Sequence, residues 1–207
     1  MNQEIAYRAA LLVLMLTTFS LSIYYRRRAD RAGGKVTLRE EGWALLILLR
    51  LSGLVLFTAA LVYLIYPPWM EWATWTLPEW TRWLGAAGAA GMIPLVFWLL
   101  RSLGKNITPT VVTRREHTLV TSGPYRWVRH PLYSVGTCFW LSLSLLTAKW
   151  FLAVMMVFGF LLILLRTPLE EARLAEKFGE EYLDYCRRTG RFFPKLFGQP
   201  LSPSTKG

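Results

Sequence analysis

The chain has 207 residues, is 54% hydrophobic and carries a formal net charge of +11. Its apolar residues are gathered into long runs with few charges, which argues against an ordinary soluble domain and for transmembrane helices. The excess of Lys and Arg comes with no soluble domain to bind nucleic acid, and fits the basic cytoplasmic segments of a membrane protein.

The first apolar run spans Ile5 to Tyr25 and is followed directly by Arg26, Arg27 and Arg28. A cleavable leader has its charge before the apolar core, so this order predicts a retained helix with its N-terminus outside. The second run, Trp43 to Tyr66, is long enough to span and ends at Pro67-Pro68. Arg50 lies about two turns inside it. It either snorkels toward headgroups or faces a polar cavity, where it would help bind an anionic acceptor.

Trp69 to Trp83 is a Trp-rich connection, expected at the membrane interface, where the rings are buried and the N–H groups stay wet. The third run, Arg82 to Leu103, opens with "GAAGAAG" (Gly85 to Gly91), small residues that let helix backbones approach closely in lipid. Two shorter runs, Pro131 to Thr147 and Trp150 to Leu165, are separated only by Ala148-Lys149 and predict a tight helical hairpin. From Pro168 on, Leu174, Phe178, Tyr182 and Tyr185 recur at helical spacing, which predicts a C-terminal amphipathic helix along the surface or over a site.

These elements give an all-α integral membrane bundle of about five transmembrane helices plus a C-terminal amphipathic helix. The expected division is a three-span region at 1–103, a core at 104–195 and a flexible tail at 196–207. With the N-terminus outside, segments 26–42, 101–131 and 166–207 are cytoplasmic and hold 20 of the 24 Lys and Arg. The expected setting is the bacterial inner membrane, with the C-terminus and the site on the cytoplasmic side.

Both histidines fall in the polar stretch "HTLVTSGPYRWVRHPLY", His117 to Tyr133. Ser122-Gly123-Pro124 is a turn signal, and Pro131 suits the first turn of a helix. The free N–H groups of such a helix start suit an anionic group. The alternative is an ordinary basic interfacial loop whose arginines touch lipid phosphates. Two histidines without a third ligand make no metal site. Cys138 and Cys186 have no ligand or disulfide spacing and read as small packing residues.

The second polar cluster is "RTPLEE", Arg166 to Glu171. Thr167-Pro168-Leu169-Glu170 fits a capping box, with Thr167 as N-cap and Glu170 at N3, which would start the amphipathic helix here. Glu170 also reads as a carboxylate that binds a polar ligand, with Arg166 one turn away. The two readings are compatible.

"HTLVTSGPYRWVRHPLYSVG", followed about fifty residues later by "EEARLAEKFGEEYLDYCRRTGRFFP", resembles the isoprenylcysteine carboxyl methyltransferase family of integral membrane enzymes. Phospholipid N-methyltransferases and small-thiol S-methyltransferases share the pattern more loosely. The likeness covers residues 105 to 195. It implies S-adenosylmethionine as cofactor and a lipophilic acceptor, most simply a prenylcysteine-type carboxylate. It implies cofactor contacts at His117, Thr118, Leu119, Val120, Tyr125, His130, Pro131, Leu132, Tyr133 and Glu170. It also implies catalytic roles for Glu170 and Arg166, the latter near the substrate.

The chemistry agrees with this set. A carboxylate or thiolate acceptor needs no general base, only orientation and exclusion of water. Tyrosine faces suit a sulfonium. An amine acceptor has to lose a proton, which His130 or Glu170 could take. No Gly-rich fingerprint follows a strand, which excludes the soluble dinucleotide-type fold. Access is expected through two mouths, one to water for the cofactor and one to lipid for the acceptor. A rival of another class is a non-catalytic membrane scaffold or lipid-binding protein. A transporter is disfavoured because there is no internal repeat. The acceptor's identity and the oligomeric state are not legible.

Overall fold

A computed structural model describes residues 2–32, 43–104 and 118–195. The described residues form six α-helices: α1 (Asn2–Ala32), α2 (Trp43–Ile65), α3 (Glu79–Leu103), α4 (Pro131–Thr147), α5 (Trp150–Phe178) and α6 (Glu180–Arg188). Short 3-10 turns lie at Pro67–Ala73 and Gly123–Arg126. Four helices contain spans long and apolar enough to cross a membrane: Gln3–Arg31, Ala44–Ile65, Glu79–Leu103 and Trp150–Phe178. The fifth apolar helix, Pro131–Thr147, is shorter. The chain is an all-helical integral membrane protein, as its hydropathy patterning predicts. Expectations about His117 and the tail at 196–207 lie outside the described residues.

The small-residue run serves packing within the chain. A Cβ at Gly85 would stand 2.6 Å from the Leu146 amide nitrogen and 2.6 Å from the Ser142 carbonyl oxygen. At Gly88 it would meet the Ser142 hydroxyl at 2.9 Å, whereas at Gly91 it would meet nothing within 4 Å. Helix α3 therefore lies against the backbone of α4 through its first two glycines, the close approach that lipid-embedded helices use.

Ala148, in the left-handed conformation at φ +52°, and Lys149 make the hairpin between α4 and α5. The buried Lys149 ammonium donates to the Met70 carbonyl (2.9 Å) and the Thr74 hydroxyl (2.6 Å). The same end of the bundle is held by Arg82. Its guanidinium reaches the Leu146 carbonyl at 2.9 Å, the Tyr63 hydroxyl at 2.9 Å and Glu4 at 3.0 Å. Arg82 thereby joins four helices, its charge paired with the partly exposed Glu4.

Three expectations change. Helix α1 extends about two turns beyond its apolar core, to Ala32, carrying the arginine run with it. The capping box at Thr167 does not form: α5 runs unbroken through Pro168 to Phe178. Thr167 is fully buried and its hydroxyl donates to the Ile163 carbonyl at 2.7 Å, an interior helical bond and not an N-cap. Pro168 removes one backbone donor, and packing of the apolar half of α5 carries the helix past it. The break comes instead at Gly179, whose φ of +55° and ψ of −133° suit only glycine. Leu174 and Phe178 thus end α5, while Tyr182 and Tyr185 belong to α6.

A candidate cofactor and acceptor cavity

The site begins with the loop ahead of α4. Gly123 turns the chain at φ +60°, where a Cβ would collide with the Ser102 hydroxyl of α3. The following 3-10 turn buries Tyr125, and Val128 then pairs in parallel with Gly190. Three backbone bonds hold this pairing: Arg129 N–H to Gly190 O (2.8 Å), His130 N–H to Arg191 O (2.9 Å) and Gly190 N–H to Trp127 O (3.0 Å). The segment after α6 is thereby strapped across the start of α4. The Ser134 hydroxyl adds a 2.6 Å bond to the Phe192 carbonyl.

Arg129 fastens this strap from beneath. Its Nε donates to Glu171 Oε1 at 2.9 Å, and its Nη1 reaches the Thr189 carbonyl at 2.5 Å and the Cys186 carbonyl at 3.1 Å. The guanidinium closes the C-terminal end of α6, where free carbonyls favour a cation. Arg191 binds the other oxygen of Glu171 at 2.5 Å, which holds its own pKa above the ordinary value. His130 Nε2 lies 3.3 Å from Glu171 Oε1 and its Nδ1 lies 4.0 Å from Glu170 Oε1. The imidazole is buried between two glutamates and stacks on Tyr133, with rings 5.5 Å apart and 9° from parallel.

Tyr133 closes the arrangement by donating its hydroxyl to Glu170 Oε2 at 2.9 Å. Because α5 is continuous, Arg166 and Glu170 stand one turn apart on the same face. On the other side, the Tyr185 hydroxyl donates to the Tyr125 carbonyl at 2.6 Å. Burial pushes both phenols well above their ordinary pKa, so both are neutral.

These residues line one cavity of about 500 Å³, within the usual range for a small-molecule site. Thr118, Leu119, Val120, Tyr125, His130, Pro131, Leu132, Tyr133, Arg166 and Glu170 all face it. Arg50 does not join them: it is exposed on α2, and no residue of α2 lines the cavity. Its position does not support the expectation that it helps hold the acceptor. Among the described residues no cluster of three or more metal-ligating side chains occurs.

Sequence reasoning missed two parts of the site. The Arg129–Glu171–Arg191 clasp depends on contacts across 20 to 42 residues, which leave no local signal. The cavity is also walled by Thr18, Phe19, Ser22 and Arg26 of α1. Their spacing was legible, since Thr18, Ser22 and Arg26 stand at i, i+4 and i+8 on one helix face.

Comparison with known proteins follows the same residues. The family model for Phospholipid methyltransferase matches residues 80–181. Over 103 residues the chain is 38% identical to the protein-S-isoprenylcysteine O-methyltransferase of Mus musculus, covering 46% of this chain and 35% of that protein. Over 86 residues it is 40% identical to the cobalt-zinc-cadmium resistance protein CzcN of Cupriavidus metallidurans, covering 40% of this chain and 38% of that protein. The aligned parts thus span less than two fifths of either relative's length. The fold is like that of the eukaryotic intramembrane Ras methyltransferase ICMT, with a TM-score of 0.55 at 17% identity over 91% of this chain and 69% of that one. The cavity is built largely from the matched residues, so the site lies in the part of the chain that is similar to phospholipid and protein-S-isoprenylcysteine O-methyltransferases.

Proposed function

We propose that the chain is a membrane-embedded methyltransferase that uses S-adenosylmethionine and acts on a lipophilic acceptor, a prenylcysteine-type carboxylate. The observation that carries this reading is the meeting of two distant segments in one cavity, with Tyr133 bound to Glu170 at 2.9 Å. The protein-S-isoprenylcysteine O-methyltransferases among its relatives support the acceptor class. The site is taken to face the cytoplasm, the side to which the positive-inside rule assigns most Lys and Arg.

The residues fit the cofactor. Its polar, zwitterionic body suits a cavity that offers one carboxylate, neutral phenols and an imidazole. S-adenosylmethionine, when bound, supplies an electrophilic methyl group on a sulfonium. Glu170, with one oxygen held by Tyr133, is the hydrogen-bond acceptor for the cofactor's ammonium or hydroxyl groups. The stacked faces of His130 and Tyr133 give a cation a π surface, worth about 1 kcal/mol. Backbone groups of Thr118 to Val120 and the apolar edges of Pro131 and Leu132 complete the cradle. Arg166 orients the acceptor's anionic end. A carboxylate acceptor gives up no proton, so the chain needs no general base, and its task is to position two reactants and keep water out.

The family model's own description, a phospholipid methyltransferase, favours headgroup N-methylation as the second reading. In that case His130, beside Glu170 and Glu171, would take the amine proton. The test is protein in nanodiscs with methyl-labelled S-adenosylmethionine and a prenylcysteine, phosphatidylethanolamine and a small thiol. Base-labile label released as methanol supports the carboxylate reading. Base-stable label in lipid supports the second, and directly volatile label means thiol methylation. Absence of both cofactor binding and transfer would leave a membrane scaffold.

A further inference from the structure

Helix α1 lies outside the matched residues 80–181, yet it walls the cavity with Thr18, Ser22 and Arg26. These positions repeat every four residues and form one stripe, about 12 Å long. The neighbouring face of α1 is lipid-like: Val13, Leu16, Ile23 and Tyr24 are exposed apolar or aromatic side chains. Polar side chains in a membrane helix that face a cavity mark a path for a polar group.

Two details set the stripe apart from its neighbours. The Thr18 hydroxyl is buried without a hydrogen-bond partner, unlike adjacent Thr17, whose hydroxyl donates to the Val13 carbonyl at 2.8 Å. Three arginines but one glutamate line the cavity. Arg129 is consumed by Glu171 and two carbonyls, whereas among the described residues no carboxylate pairs with Arg26. Arg27 and Arg28, next in the same run, do not line the cavity.

We infer that Thr18, Ser22 and Arg26 form the acceptor-selecting wall of the cavity, with Arg26 holding an anionic group of an amphiphile whose tail lies along Phe19 and Trp140. This rests on the proposed methyltransferase reading and names the specificity-determining residues for its acceptor. The shared ligand chemistry is an anion on a lipid-like chain, either a carboxylate next to a prenylated cysteine or a phosphodiester in a phospholipid headgroup.

The test is binding, not turnover. The full chain in phosphatidylcholine nanodiscs is titrated with tritiated S-farnesylcysteine, its neutral carboxamide and short-chain phosphatidylglycerol. Wild type should prefer an anionic probe over the carboxamide by about tenfold, the effect of one charge-assisted contact. R26Q should lose most of that preference, the remainder coming from Arg166, R26K should keep most of it, and R27Q should leave it intact. S-adenosylmethionine affinity should be the same in all four proteins. The anion that wins distinguishes carboxylate from phosphate. An unchanged preference in R26Q, no preference in wild type, or loss of S-adenosylmethionine binding in R26Q with the preference intact would each overturn the assignment. A wild type that shows the preference but binds no S-adenosylmethionine would sink the methyltransferase reading and leave the Arg26 wall standing.

Discussion

The Tyr133 hydroxyl donates a 2.9 Å hydrogen bond to Glu170 Oε2 and joins the first turn of α4 to the polar end of α5 across 37 residues. Glu170 is therefore oriented before any ligand arrives, with its second oxygen 4.0 Å from His130 Nδ1. Such preorganisation lowers the cost of ligand binding.

Removing this carboxylate should act on the cofactor before it acts on the fold. E170Q, which keeps a hydrogen-bonding carbonyl, should weaken S-adenosylmethionine binding by about tenfold, and E170A by up to about a hundredfold, the range for a charge-assisted bond. Y133F should give a smaller loss, because Glu170 stays but is no longer held. Calorimetric titration of the three variants checks the order, and equal affinities for wild type and E170A would remove Glu170 from the cofactor site.

The Arg129–Glu171 pair has a different part. R129M leaves the Glu171 carboxylate short of one partner, frees the Thr189 carbonyl and leaves the Cys186 carbonyl to Lys195 Nζ at 3.1 Å. The expected cost is about 1.5–3 kcal/mol, that of a lost hydrogen bond to a charged group, because Arg191 still pairs with Glu171. Limited proteolysis should show faster cleavage near residues 186–193, while the α3–α4 packing, which shares no contact with it, should persist.

Gly85 and Gly91 make a controlled comparison within one helix. G85A places a methyl group 2.6 Å from the backbone of α4 and should lower the melting temperature in detergent, at a cost of about 1–3 kcal/mol for overpacking. G91A meets open space and should be neutral or slightly stabilising, as alanine favours the helix. A similar gain in both would show that helix propensity, not interhelical contact, sets the effect.

The buried phenols predict how stability depends on pH. Tyr125 and Tyr185 have folded-state pKa values raised above the ordinary 10.0 by burial. Between the unfolded and folded values the unfolded state holds fewer protons, so stability falls as pH rises. The contribution is complete below about pH 10 and is lost above it. Thermal unfolding of the purified protein should show this loss begin near that pH and shrink in Y185F. A loss centred near neutral pH would have to come from other groups.

Helix count, hairpin and loop chemistry were all readable because each rests on local rules. Apolar run length set the spans, Ala148-Lys149 left no room except for a turn, and Pro131 marked the start of α4. The Arg166–Glu170 spacing was visible too, but its geometry was not. The same four letters of "TPLE" satisfy a capping box and a helix interior, and only packing of α5 chose the interior.

What the sequence determined by itself was the membrane environment, the helical class and the two segments that carry the polar chemistry, because hydropathy, turn residues and motif spacing act over a few residues. Tertiary structure alone decided that Tyr133 meets Glu170, that Arg129 and Arg191 share Glu171, that Arg50 stands apart, and that α1 supplies a wall. Those relationships depend on which faces of distant helices pack together. That choice is made by the summed burial of many small contacts, which no single stretch of sequence encodes.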